Sequence, residues 1–159
     1  MANFIYTRTK RDALRLLLIG TAASADFLDL RACLVMTGTT ADAQEDAATT
    51  SAFTGNGLYE CDATSYARVA LTSEAVAEDT VNNRAEFSCA NLVYTSIGSP
   101  SAGTAQVKGI VLVAWGGTIG ASVPVAWIDT VSSGPTFPFW PNGGTVTFTI
   151  DVEGLLQQT

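Results

Sequence analysis

The sequence predicts a mainly β protein: an antiparallel β-sandwich or jelly-roll-like barrel with one short N-terminal helix. Two patterns carry that expectation. Apolar and polar residues alternate with period two over several short stretches, and those stretches are separated by punctuation rich in Gly, Pro, Asn and Thr. The length sets the scale: 159 residues suit one domain, able to bury about two thirds of its unfolded surface. One core is therefore expected over residues 9–159, behind an N-terminal arm of residues 1–8 that carries Phe4 and Tyr6.

The first segment, RTKRDALRLLLIGTAASADF (8–27), has the basic start, apolar middle and Ala23-Ser24-Ala25 site of an export signal. Asp12 and Arg15 interrupt the apolar part, however, leaving Leu16–Ile19 shorter than the usual run of about 7–15 residues. A helix accounts for more of the same residues. Thr9 caps it, Asp12 lies in its first turn, Leu14, Leu17 and Leu18 share one face, and Gly20 suits a left-handed end. The expected helix spans 10–19.

Strands follow. In DFLDLRACLVM, Leu28, Leu30, Ala32, Leu34 and Met36 fall on one face, which predicts a half-buried strand. TVTFTIDV repeats the pattern with Val146, Phe148, Ile150 and Val152, after a Pro141-Asn142-Gly143-Gly144 reversal. Shorter candidates are SYARVALT (65–72), RAEFSCA (84–90) and LVYTSI (92–97). The twenty uncharged residues GIVLVAWGGTIGASVPVAWI (109–128) could span a bilayer by length alone. Their β-branched residues and the cluster Gly116, Gly117, Gly120 and Pro124 predict two strands instead, 107–115 and 122–129, joined by GGTIGAS. Residues 37–57, rich in Thr, Ala and Gly, are expected as a long surface loop with a helical turn near 43–48. Its acids Asp42, Glu45 and Asp46 lack the EF-hand spacing.

The net charge is −7, and beyond residue 31 the cations are Arg68, Arg84 and Lys108. Such a surface repels phosphate, which argues against nucleic acid and anionic membranes as partners. Only 14% of residues are charged while 47% are hydrophobic, more apolar surface than a small monomer readily covers, so part of it is expected against other chains.

Most routes to chemistry lack their parts. With no histidine in the chain, Ser-His-Asp, Cys-His and two-His-one-carboxylate sites are ruled out. Cys33, Cys61 and Cys89 have no C-x-x-C pairing and are expected as free, small, buried hydrophobes rather than metal ligands. Glu60 and Asp62, two apart, could face one way as a hydrolase pair does, as can any two surface acids. Gly116-Gly117 and Gly143-Gly144 are turn glycines, not phosphate loops. No catalytic residue, cofactor or metal is expected. Trp115 and Trp127 sit beside apolar runs and suit the core or an interface, whereas Trp140 in PTFPFWP (135–141) is the better binding candidate. The prolines deny that segment ladder donors, so it should lie extended at an edge, where Phe137, Phe139 and Trp140 could clamp a neighbouring subunit.

The order of features, TKRDALRLLLIG before DFLDLRACLVMTGTT, a central YARVALT, AQVKGIVLVAW ending in WID, and a terminal PFWPNGGTVTFTIDVEGLLQQ, resembles small virion structural proteins of tailed bacteriophages. It is similar in particular to capsid decoration, or cement, proteins. That resemblance implies a non-enzymatic β protein on the capsid surface, assembled in the host bacterial cytoplasm. It would be a homotrimer bound to the major capsid protein or another virion protein, with the candidate interface residues Phe4, Tyr6, Phe137, Phe139 and Trp140. The alternative is a tail-associated module that binds a carbohydrate receptor through Trp140 and the acidic 37–57 loop.

Overall fold

The computed structural model describes residues 4–6, 29–53, 57–81, 84–101, 105–150 and 155–158. The expected helix over 10–19 lies outside them. Within them the protein is mainly β and antiparallel, with no α-helix and three single 3-10 turns at Ala41–Ala43, Thr50–Ala52 and Ile119–Ala121.

Five strands form the central sheet, in the order β1 (Phe4–Ile5), β8 (Val123–Ile128), β7 (Val107–Ala114), β2 (Leu30–Met36) and β3 (Val69–Ala70). β7 and β8 are the two strands that the 109–128 stretch predicted, paired from Ile110↔Ile128 to Ala114↔Val123 with an irregularity at Leu112/Val113. Among the described residues no helix is long and apolar enough to cross a membrane. β2 pairs with β7 along its whole length, from Leu30↔Ala114 to Met36↔Val107. Its other edge is covered first by residues 59–61, through Met36 N–H to Tyr59 O at 2.9 Å and Cys61 N–H to Leu34 O at 2.9 Å, and then by β3.

β2 departs from its expected half-buried character. Ala32, Leu34 and Met36 enter one apolar cluster, while Cys33 and Val35 enter another on the opposite face. The run ACLVM is unbroken by polar residues, the mark of a central strand covered on both sides. On the first face lies the pair β6 (Leu92–Tyr94) and β9 (Val146–Phe148), which contributes Leu92, Tyr94 and Phe148. The Tyr94 hydroxyl donates to Ala32 O at 3.1 Å, tying this pair to β2. In β9 the alternation holds as expected: Phe148 is fully buried, Val146 and Ile150 are partly buried, and Thr147 and Thr149 face solvent. The reversal before it forms around Gly143 at φ +88°, which a residue with a Cβ rarely adopts, and docks through Gly143 N–H to Ile97 O at 2.7 Å.

The second face is covered by the segment expected to be a surface loop. Ala41, Ala47, Phe53 and Leu58 pack on Cys33, Val35, Val111, Val113 and Trp127, together with Tyr6. The small alanines of this stretch let it lie flat on the sheet. Its helical turns fall at 41–43 and 50–52, on either side of the expected position. Gly109 makes room for the largest side chain of this face: a Cβ there would lie 2.6 Å from Trp127 Cη2 and 2.9 Å from Ile128 O.

A smaller sheet completes the architecture: β4 (Ala75–Asp79), β5 (Arg84–Ser88) and β10 (Leu156–Gln158), with β5 in the middle. Phe87 of β5, with Cys89 and Leu155, packs against the first cluster.

Candidate functional site

The Pro-rich segment owes its position to the point where β8 leaves β7. After Ile128 the chain swings away over 129–138 and returns at Phe139, whose N–H and C=O both bond to Val107, at 3.0 and 2.9 Å. One residue can pair where a longer strand cannot, because Pro138 and Pro141 flank it without donors. A groove of about 410 Å³ opens under this excursion, lined by Lys108, Asp129, Thr130, Thr136, Phe137 and Pro138 among others. Lys108 lies between the paired residues Val107 and Gly109, at the irregular step of the β2–β7 ladder, and its ammonium bonds Asp42 Oδ2 at 2.6 Å.

The expected interface residues therefore separate. Phe137 stacks on Phe148 with centroids 5.3 Å apart, and Phe139 contacts the same ring at 6.1 Å. Both are partly buried and serve the core of this chain. Trp140, two residues beyond the cis Phe137–Pro138 bond, is 47% exposed. Over residues 4–6 the expected arm is built into the body instead. Phe4 and Ile5 pair by backbone with Trp127 and Ala126, and Tyr6 is fully buried with its hydroxyl donating to Ala41 O at 2.8 Å. Burial, then the charges of Asp42 and Glu45, raise the Tyr6 phenol well above its ordinary range. Tyr6 is thus a core residue, not a surface for a partner: an aromatic next to Ile5 gains more against Phe53 and Trp127 than in water.

A second group of polar side chains lines the edge of β2 between the two faces, Tyr66 packing against the first cluster and Arg68 lying over Trp115 of the second. Glu60, beside β2 through its bridge with Val35, accepts from Tyr66 Oη at 2.7 Å and pairs with Arg68 Nη2 at 2.7 Å. The Tyr66 hydroxyl also accepts the Leu34 N–H at 3.1 Å. Burial first, and then the Glu60 carboxylate, hold this phenol protonated. Arg68 and Arg31 both lie over the Trp115 ring, at 5.1 and 4.2 Å from its centroid, and Arg31 pairs with Asp29 at 2.7 Å. Trp115 thus sits at the edge of the apolar cluster, its ring under two guanidinium groups, where the sequence suggested core or interface; Trp127 is fully in the core.

Glu60 and Asp62 are drawn to different tasks. Asp62 is exposed and accepts the Ser101 N–H at 3.1 Å, while Glu60 holds Tyr66 and Arg68. The three thiols are free. Burial pushes Cys33 up to about 12, aided by the Glu60 charge and opposed by Arg68; it pushes Cys89 to about 11 and raises Cys61 as well. Thiols shifted in this direction are poor nucleophiles near neutral pH. The Glu60–Tyr66–Arg68 group was missed from sequence, although E-x₅-Y-x-R around a strand edge could have signalled it. Chemically it is a clasp that fastens residues 59–70 to β2.

Against protein-family models, curated proteins and solved structures, the chain shows no significant match in any of the three.

Proposed function

We propose that this protein is a non-enzymatic virion structural protein, a decoration or cement protein that binds and stabilises a capsid shell through contacts between chains. One observation carries the reading. Arg31, Arg68 and Lys108 are each paired with a carboxylate of the same chain, while among the described residues the large apolar side chains of Val81, Val93 and Trp140 are turned outward. A surface of that kind favours protein contacts over the capture of a charged small molecule. The packing of β6 and β9 on the central sheet supports a sandwich-like architecture, with the 39–58 segment in place of a second complete layer on the other side.

The mechanism is linkage. A closed oligomer, a trimer in the form the resemblance suggests, binds the assembled shell and not its separated subunits, so attachment shifts the assembly equilibrium toward the shell. Several modest contacts acting together give tight attachment. The burial of Tyr6 and the ladder position of Phe4–Ile5 move the weight of the contact from the arm to the Trp140 edge. Co-sedimentation tests this: the purified chain should pellet with assembled shells and stay in solution with dissociated shell subunits. Trp140→Ala should weaken pelleting about tenfold or more, as loss of an aromatic anchor does. Equal binding to subunits and shells would contradict the reading.

A second reading, a carbohydrate-binding module of a tail, is favoured by the groove lined by Lys108, Asp129, Thr130 and Thr136, with exposed Trp140 two residues beyond its Pro138 wall. Binding to a glycan array, lost in Trp140→Ala, would select it over the first.

A further inference from the structure

We propose that the groove under the 129–138 excursion is a binding site for a neutral saccharide, seating one sugar ring of a glycan. The proposal rests on the carbohydrate reading given second above and deepens it. It places recognition in the groove, and it names the class of sugar admitted and the class refused.

The groove is built by the fold itself. Its chain leaves the central sheet at Ile128, paired with Ile110, and returns at Phe139, bonded to Val107 in both directions. Midway, Ser133 O accepts the Thr149 N–H at 3.0 Å, which ties the excursion to the strand end after β9. Gly134 permits that approach. Its φ is +137°, and a Cβ there would lie 2.9 Å from Thr147 O and 3.2 Å from Phe148 Cδ1. Phe137, stacked on Phe148, is fixed in turn by the first cluster. A groove of about 410 Å³ held at these points falls within the range of about 300–1,000 Å³ usual for small-molecule sites. Because its walls are already ordered, a ligand loses little binding energy in ordering them.

The lining selects the class of ligand. Phe137 and Pro138 give it ring surface, while Asp129, Thr130 and Thr136 give it a carboxylate and two hydroxyls. A sugar ring carries the same two characters, apolar C–H groups on a face and hydroxyls around its rim, and such a ligand is oriented by a few placed polar groups beside apolar walls. The Thr130 hydroxyl donates to Asp129 Oδ1 at 3.3 Å. A carboxylate has about four lone-pair sites, so Asp129 can still accept from neighbouring sugar hydroxyls, in bonds strengthened by its charge. Charge then sets which sugars enter. Lys108 is the one cation among the described lining residues, and its ammonium is engaged by Asp42 at 2.6 Å. The carboxylate of a uronic or sialic acid therefore finds no uncommitted cation among them, in a chain of net charge −7. A neutral sugar needs none.

A glycan array followed by saturation-transfer NMR tests the site, with maltose, lactose and N,N′-diacetylchitobiose as neutral probes and glucuronic acid as the acidic one. At least one neutral sugar should bind the wild-type chain, and glucuronic acid should bind at least about tenfold more weakly. Asp129→Ala should weaken the neutral sugar about tenfold or more, and Thr136→Val about threefold, as loss of a charged and of a neutral hydrogen bond does. Both positions are at least partly exposed, so each variant should keep the urea midpoint of the wild type; Thr136→Val carries the test alone if Asp129→Ala does not fold. Glucuronic acid bound as tightly as the neutral sugars, or folded groove variants that bind as the wild type does, overturns the proposal. If binding is lost in Trp140→Ala but unchanged in both groove variants, the groove falls and the carbohydrate reading stands. An array on which no glycan binds removes both.

Discussion

At the scale of single residues, the tightest constraint is where Gly109 meets Trp127. Because any Cβ at 109 would meet the indole at 2.6 Å and a backbone oxygen at 2.9 Å, Gly109→Ala should destabilise the fold by about 1–3 kcal/mol, the usual cost of overpacking, seen as a lower urea midpoint. Tyr66→Phe should cost a similar amount, about 1–3 kcal/mol, because Leu34 N–H and Glu60 Oε1 lose a shared hydroxyl in a largely buried place. Tyr6→Ala should cost about 3–5 kcal/mol, as removal of a buried aromatic does, and deletion of the N-terminal residues through Tyr6 should lower the melting temperature. Such a deletion cannot separate attachment from folding. None of these three roles was legible in the sequence. A glycine inside an apolar run reads as a weak strand position until its cross-strand neighbour is known, and Tyr6 stands too near the terminus for any period to show.

Among elements, the 39–58 segment matters most. Its composition signals a solvated loop, yet its alanines and Phe53 complete the second face of the sheet, and Asp42, 5% exposed, is fastened to Lys108. Lys108→Ala leaves that carboxylate without its cation. The expected result is a loss of about 1–2 kcal/mol, below the 3–5 of a fully buried pair because Lys108 is partly exposed, with faster amide exchange concentrated in residues 39–53. Where an element's partner is adjacent in sequence, the pattern was sufficient: β7 and β8 lie within a residue of their expected bounds, since period-two alternation and glycine punctuation are local signals, whereas β9, paired with distant β6, takes up only Val146–Phe148 of the expected run. β1, β4 and β10 went unread because two to five residues of ordinary composition carry no period. β2 was expected within 26–36 with one buried face and runs over Leu30–Met36 with two, its second cover being decided by a segment that composition made look exposed.

For the molecule as a whole, the buried thiol and phenols predict a one-sided response to pH. The ordinary Cys pKa of 9.0 becomes about 12 at Cys33 in the fold. Between those values the unfolded chain gives up a proton that the native chain keeps, so stability is complete below about pH 9 and falls as pH rises toward 12. Tyr6, Tyr66 and Tyr94, all raised first by burial, add to the fall in the alkaline range. Urea midpoints measured from pH 8 to 12 should decline accordingly, and Cys33→Ala should make the decline shallower. The mainly β, antiparallel class was legible from alternation and turn residues alone; the covering of both faces was not, because it depends on which distant segment folds over which. The central claim is that the apolar surplus of this chain is held for other polypeptides. Sedimentation equilibrium of the purified wild-type protein tests it most directly: the account predicts an oligomer, a multiple of 16.6 kDa that persists on dilution into the micromolar range, and a single 16.6 kDa species at every concentration would contradict it.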